Sequence, residues 1–252
     1  MNIYFKETQF GHFCLIEKDL ISNCISNYGY WEQHLHYFYS QFIKPNDVVI
    51  DGGANLGFHS IQFAKLANQG KVYCFEPQPL IFNVLSTNIL INGATDIIKQ
   101  FRLGLSDKEE QLKMSPLKDQ IFSEDCINYG GRALTNSEEG EEEVQLTNID
   151  SLNLSKLDLI KLDVQGFELE TIKGGEKTIK NNYPIFFLEN YIDQEKDQEV
   201  IKLLQEWGYI NYRLDIGNKE DCILVYPDKH KSEIKFIETQ TKIKYNKLKD
   251  EY

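Results

Sequence analysis

The sequence predicts an α/β fold: a doubly wound, mostly parallel sheet with helices on both faces. Three observations carry that expectation. Strand-like segments alternate with helical patterns of about 10–15 residues through the middle of the chain. The segments VVI (48–50), LDLIKLDV (157–164) and PIFFLE (184–189) read as apolar strands of the kind buried on both faces. A glycine-rich loop, Asp51 to Gly57, separates the first of them from a helix, where a doubly wound sheet opens its ligand crevice.

In chain order, Ile3 to Lys6 and Phe13 to Glu17 read as short strands, with Gly11 as a turn residue. The stretch 28–43 repeats apolar residues at helical spacing, placing Trp31, Leu35, Phe38 and Phe42 on one face. Pro45 ends that helix. After strand 48–50 come a helix from about Gly57 to Asn68, strand 71–76, a helix from about Leu80 to Asn92 and strand 97–103. Residues 104–141 read as irregular, and EVQLT (143–147) as a strand. Strand 157–164 feeds a helix from Phe167 to Asn181, and strand 184–189 a helix from Glu195 to Trp207. Two last strand-like pieces, 209–214 and 222–227, are spaced to pair as a hairpin.

No linker divides the chain, and its expected organisation is a core at 46–228 flanked by an N-terminal segment, 1–45, and a Lys-rich end, 229–252. That end carries seven lysines against Glu233, Glu238, Asp250 and Glu251. A weak stripe of Ile234, Ile237, Thr241 and Leu248 makes it an appended helix or tail. The acidic run EEGEEE (138–143) reads as a solvated loop.

Composition excludes several classes. A net charge of -12 and a pI near 4.9 repel phosphate backbones, so nucleic-acid binding is not favoured. No run of about 18 apolar residues occurs, so no membrane-spanning helix is expected. The first residues lack the basic and apolar regions of a secretory signal. Five scattered cysteines without a C-x-x-C pair argue for reduced thiols and against a zinc site or disulfide framework. Together these describe a soluble, acidic, cytoplasmic protein.

The chemistry centres on Asp51-Gly52-Gly53-Ala54-Asn55-Leu56-Gly57. Glycines there let backbone approach a ligand, and the following helix offers free N–H groups to an anion. Glu76, 25 residues after Asp51, ends the next strand and suits ribose hydroxyls. The G-x-G-x-x-G spacing of dinucleotide sites is absent, as is the Gly-Lys-Ser/Thr of a phosphate loop. An adenosine ligand without a pyrophosphate fits better, and S-adenosylmethionine is such a ligand. For moving a proton, Asp163 and Glu189 end adjacent strands, and His59 follows the loop. The two acids, as hard oxygens, also suit a magnesium ion, with no third ligand evident and no metal site assigned. Lys161 alternates onto the face of Asp163 and is read as an acid's partner; Asn128, Tyr129 and Arg132 are candidate acceptor contacts.

VVIDGGANLGFHSIQFA, KVYCFEPQP, GLSD and LDLIKLDVQGFELETIKGG, in that order, resemble the FkbM family of S-adenosylmethionine-dependent methyltransferases over roughly residues 28–191. The resemblance implies the class I methyltransferase sheet, with seven strands and a final antiparallel hairpin. It further implies O-methyl transfer to a hydroxyl of a sugar, glycan or related small polar acceptor. By position, Asp51, Gly53, Ala54, Asn55 and Gly57 match the family's cofactor loop, and Ser60 its following Ser/Thr. Glu32 matches an acid that meets the methionine ammonium, Glu76 and Pro77 the ribose-binding strand end, and Leu105, Ser106 and Asp107 the turn beside adenine. Gln165 replaces the usual acid of D-V-E-G. The alternatives are an RNA 2′-O-methyltransferase, favoured only by the terminal lysines, and a non-catalytic binding protein that keeps the fold.

Overall fold

The computed structural model describes residues 2–189, 195–214 and 221–239. Seven strands form its main sheet: β3 (Val48–Gly52), β4 (Lys71–Phe75), β5 (Ile98–Phe101), β12 (Leu159–Leu162), β13 (Ile185–Glu189), β14 (Ile210–Arg213) and β15 (Asp221–Val225). Their order is β14-β15-β13-β12-β3-β4-β5. The five strands from β13 to β5 are parallel. β15 runs antiparallel to both β13 and β14, which gives the expected terminal hairpin.

Alternate residues of the central strands feed two cores. Val49, Leu159, Ile185 and Phe187 join α2 (Gln33–Phe42), α3 (Phe58–Leu66) and α4 (Pro79–Ile91) on one face. Ile50, Ile160, Phe186 and Leu188 meet α5 (Glu168–Lys173), α6 (Glu176–Asn182) and α7 (Glu195–Glu206) on the other. Sheets covered on both sides need apolar residues at successive positions, which is why these segments lack polar alternation.

The N-terminal segment differs from the reading of its sequence. β1 (Ile3–Thr8) and β2 (Gly11–Ile16) form an antiparallel hairpin, but Leu20–Tyr28 is a helix, α1, where only strands were expected. Asp19 caps it by accepting from the backbone N–H of Ser22, and Gly29, at φ +82°, closes it. The helix expected from residue 28 begins at Gln33, so Trp31 stands before it, while Leu35, Phe38 and Phe42 form its buried face. Asn88 ties the hairpin to the core: its Oδ1 accepts from the Cys14 N–H at 2.6 Å, and its Nδ2 donates to the carbonyls of Cys14 and Leu56.

The stretch expected to be irregular is largely ordered. β6 (Gly104–Leu105), β7 (Glu110–Met114) and β10 (Leu134–Thr135) join β11 (Glu143–Thr147) in a four-stranded sheet of its own, ordered β10-β7-β11-β6. Met114, Val144 and Leu146 form its small core. β8 (Ile121–Ser123) and β9 (Cys126–Ile127) make a short hairpin, followed by a single helical turn at Tyr129–Gly131. Pieces of two to five residues carry too little periodicity to be recognised one at a time. The helix expected from Phe167 is two, α5 and α6, parted at Gly174–Gly175. Any side chain at Gly174 would run into the Ser106 carbonyl. A last helix, α8 (Lys231–Thr239), packs Ile237 into the core; Thr241 and Leu248 lie outside the described residues. Among the described residues no helix is long and apolar enough to cross a membrane.

Candidate functional site

The carboxyl ends of β3, β4, β5, β12 and β13 open onto one cavity of about 250 Å³. Of the residues singled out in the sequence, Glu32, Gly53, Ala54, Asn55, His59, Glu76, Pro77, Asp163 and Glu189 line it. Asp51, Gly57, Ser60 and Ser106 do not. Ser60 is buried and donates to Asp51 Oδ2 at 2.6 Å; Ser106 lies within 3.4 Å of Asp107 and 3.3 Å of Glu110. Gly57 opens α3 at φ +88°.

The loop after β3 is held from both sides. The N–H groups of Gly53 and Ala54 donate to the Phe75 carbonyl at the end of β4. Gly53 has φ +72°, and a Cβ there would collide with the Asp163 carbonyl oxygen, so only glycine lets β3 and β12 approach this closely. No side chain caps α3, whose first turn carries Phe58 and His59, both of which line the cavity. Glu76 Oε2 accepts from the Asn55 N–H at 3.0 Å and Oε1 from the Gln78 N–H at 2.9 Å. Burial pushes the Glu76 carboxyl up to about 7, against the pull of those two N–H groups.

A second group of residues surrounds Lys161. Its ammonium is buried and lies 3.1 Å from the Gly53 carbonyl oxygen, 3.6 Å from Asp51 Oδ1 and 3.7 Å from Asp163 Oδ2. Burial alone would lower its pKa, but Asp163, Asp51, Glu32 and Glu189 together push it upwards. Glu32 Oε2 pairs with His59 Nε2 at 2.9 Å; His59 Nδ1 is buried without a partner. Burial works to raise the Glu32 carboxyl, yet His59, Lys161 and His34 hold it below its ordinary value. His34 Nε2 in turn lies 2.6 Å from Asp221 Oδ2.

Gln165 is the residue whose part was least visible beforehand. Its Nε2 donates to Asp163 Oδ1 at 2.6 Å and to Glu189 Oε2 at 3.3 Å, so one neutral amide spans the two acids. Three non-glycine residues that line the cavity adopt left-handed backbone: Glu32 at φ +47°, Asn55 at φ +50° and Gln165 at φ +53°. Such conformations cost free energy and concentrate where the surrounding structure must aim a group.

The four-stranded sheet and its hairpin supply the remaining wall. Leu103, Leu105, Met114 and Leu134 give the cavity an apolar arm, and Gly130 passes close to the Asn55 side chain. Gln78 Nε2 anchors that turn through the Tyr129 carbonyl at 2.9 Å. Arg132 is buried; its guanidinium pairs with Glu142 at 2.9 Å and Glu141 at 3.0 Å. Part of the acidic run therefore pairs with a buried cation while remaining, as expected, largely in solvent. Among the described residues no group of three or more His, Cys, Asp or Glu is placed to hold a metal ion.

The sheet order and the cavity at its carboxyl edge define an S-adenosylmethionine-dependent methyltransferase fold. The chain belongs to the FkbM methyltransferase-domain family, whose model matches residues 51–210. Among similar proteins, methyltransferase sdnD of Sordaria araneosa is 27% identical over 52% of this chain and 61% of its own length. The 2-O-methyltransferase NoeI of Sinorhizobium fredii is 27% identical over 60% and 66%. The hexuronic acid methyltransferase AglP of Haloferax volcanii is 28% identical over 72% and 71%. The chain thus spans less than two thirds of the length of the first two. A solved structure of methyltransferase FkbM from Methylobacillus flagellatus shares the fold, with a TM-score of 0.53 at 16% identity over 75% of this chain and 48% of that one.

Proposed function

We propose that the protein is an S-adenosylmethionine-dependent O-methyltransferase acting on a hydroxyl of a sugar, a glycan or a related small polar acceptor. The observation that carries this reading is the cavity that unites the glycine loop, Glu76 and the bridged acids Asp163 and Glu189. The names of NoeI and AglP support oxygen as the acceptor atom and a sugar as its carrier.

The residues present fit that cofactor. The uncapped N-terminus of α3 suits a carboxylate, Glu32 an ammonium, and the carboxylate of Glu76 a pair of ribose hydroxyls. Leu103, Leu105, Met114 and Leu134 offer apolar surface to a flat base. When bound, S-adenosylmethionine supplies a methyl group on a positively charged sulfur that leaves as a neutral thioether. The protein's part is then to align the acceptor oxygen with that carbon and to remove the hydroxyl proton. Asp163 and Glu189 are the proposed bases, because both line the cavity and Gln165 holds them as acceptors. His59 is the lesser candidate: its Nε2 is engaged by Glu32 and its Nδ1 is buried.

Calorimetric titration with S-adenosylmethionine tests the cofactor assignment. Micromolar binding by the wild type that weakens by roughly a hundredfold in Glu76→Ala is the expected result, corresponding to about 3 kcal/mol of charge-assisted hydrogen bonding. Undiminished binding in both Glu76→Ala and Asn55→Ala would overturn it.

A further inference from the structure

Trp31 lies off the helical stripe that its spacing predicts. Leu35, Phe38 and Phe42 share the buried face of α2, but that helix begins at Gln33 and leaves Trp31 outside it. The break falls at Glu32, whose left-handed backbone at φ +47° carries the strain of turning the chain. Trp31 is consequently half-buried at the edge of the first core and lines the cavity, as do Leu20 and Ile21 of α1.

Its ring is left without an aromatic neighbour in a part of the molecule crowded with them. Tyr28 and Tyr30 lie 6.2 Å apart, Tyr37 and Phe38 both meet Phe236, and Tyr39 meets His59, Phe63 and Phe187. Among the described residues Trp31 makes no ring–ring or cation–ring contact, and its indole N–H has no hydrogen-bond partner. The other tryptophan differs: Trp207 packs on the second core with the Lys180 ammonium 4.6 Å from its ring. An indole set into a binding wall ordinarily finds a partner for its face and its N–H.

The next residue ties Trp31 to the chemistry. Glu32 meets His59 and shares a small adjoining pocket with Lys161, Asp163 and Glu189, so Trp31 bounds the end of the cavity where the proposed bases stand. The cofactor's groups are matched elsewhere on the wall, by the start of α3, Glu32, Glu76 and the apolar arm of Leu103, Leu105, Met114 and Leu134. A sugar ring carries C–H groups on its faces and hydroxyls around its edge. The electron-rich face of an indole attracts polarised C–H groups, and its N–H can donate to a hydroxyl.

We propose that Trp31 is the acceptor's platform, stacking on the C–H face of a sugar ring so that the hydroxyl edge is presented to Asp163 and Glu189. The proposal rests on the O-methyl transfer reading above and names the residue that selects a sugar as its substrate.

Indole emission tests it directly. The chain has two tryptophans, so Trp207→Phe leaves Trp31 as the source of that emission. With the demethylated cofactor saturating, methyl glucoside, mannoside and galactoside are added in turn, and the accepted ring should shift or quench the emission saturably. In the otherwise unaltered protein, Trp31→Ala should raise KM for that hexoside by about tenfold, the worth of one aromatic contact, with S-adenosylmethionine affinity unchanged. Trp31→Phe should recover most of the loss and Trp31→Leu, apolar but without a π face, little. Emission and Trp31→Phe decide the matter should Trp31→Ala fail to fold. Transfer to a hexoside that leaves Trp31 emission unmoved, or Trp31→Leu performing as well as Trp31→Phe, overturns the platform and leaves O-methyl transfer standing. Emission that responds to the cofactor and no further to any sugar assigns Trp31 to the cofactor and overturns the platform too. Transfer to none of the three by a protein that binds S-adenosylmethionine overturns the sugar-hydroxyl reading and the platform with it.

Discussion

Lys161 on β12 and Asp51 on β3 are direct neighbours across the parallel ladder, and their buried charges lie 3.6 Å apart. Asp51 Oδ1 has no hydrogen-bond partner, so the ammonium is what compensates it; Oδ2 is held by Ser60. Lys161 lines the cavity with Asp51 behind it, and the pair fixes the floor on which the glycine loop rests, since the same ammonium reaches the Gly53 carbonyl.

Removing one partner strands a buried charge, which typically costs about 3–5 kcal/mol. Lys161→Met should therefore lower the unfolding free energy by that order in urea titration. Asp51→Asn combined with Lys161→Met should recover most of the loss, because the fully buried carboxylate is then gone, whereas Asp163, the other partner of Lys161, is partly exposed to solvent. Strictly additive effects of the two substitutions would mean that the charges are not energetically coupled.

Glu76 makes stability and ligand affinity respond to pH in opposite senses. Its folded pKa of about 7 lies above the ordinary 4.5, so over the interval between them the unfolded chain releases a proton that the folded chain keeps. Stability should fall as pH rises through this window, by up to about 3 kcal/mol, and level off above it. Urea unfolding at about pH 5 and about pH 8 should show this loss in the wild type and not in Glu76→Gln. Affinity for S-adenosylmethionine should move the other way, because ribose hydroxyls donate to the ionised form. Calorimetry should find binding weakening by close to tenfold per pH unit below about 7, with a flat profile in Glu76→Gln.

Gly53 and Gly93 separate the effect of a left-handed backbone from that of close approach. Both have positive φ, +72° and +63°, but a Cβ at Gly93 meets nothing whereas one at Gly53 collides with Asp163. Gly93→Ala should cost about 1 kcal/mol for the backbone conformation alone. Gly53→Ala should cost more than about 3 kcal/mol and abolish cofactor binding, since the carbonyl of Asp163 has to move. Thermal unfolding of the two variants, with titration of whichever remains folded, provides the comparison. Equal losses would show that the close approach of β3 and β12 does not matter.

Much of this protein is written locally. The apolar runs at 48–50 and 184–189 mark strands covered on both faces, and the glycine loop followed by Glu76 marks the cofactor end of the sheet. Helix α1 was legible too: Asp19, Ser22 and Gly29 are cap residues at the spacing a short helix needs, but the strand-like start of the chain masked them. What local pattern could not supply was partnership. Lys161 meets a residue 108 positions away at the Gly53 carbonyl, and Gln165 bridges Asp163 to Glu189 across two strands. Arg132, read as a candidate acceptor contact, lines the cavity and is also paired with two glutamates of the acidic run, which its neighbours in sequence do not foretell.

The sequence by itself determined the kind of sheet, the place of its ligand crevice and the acids at its edge, because residue periodicity and glycine conformation act over a few neighbours. Tertiary structure alone decided that residues 104–141 build a second sheet roofing the cavity. It also decided that Ser60 and Asp51 support the loop from behind and that Lys161 and Arg132 are paired with acids distant in the chain or on the acidic run. Those outcomes depend on strand order and register, which bring distant charges within a few ångströms and let burial, more than sequence spacing, select their partners.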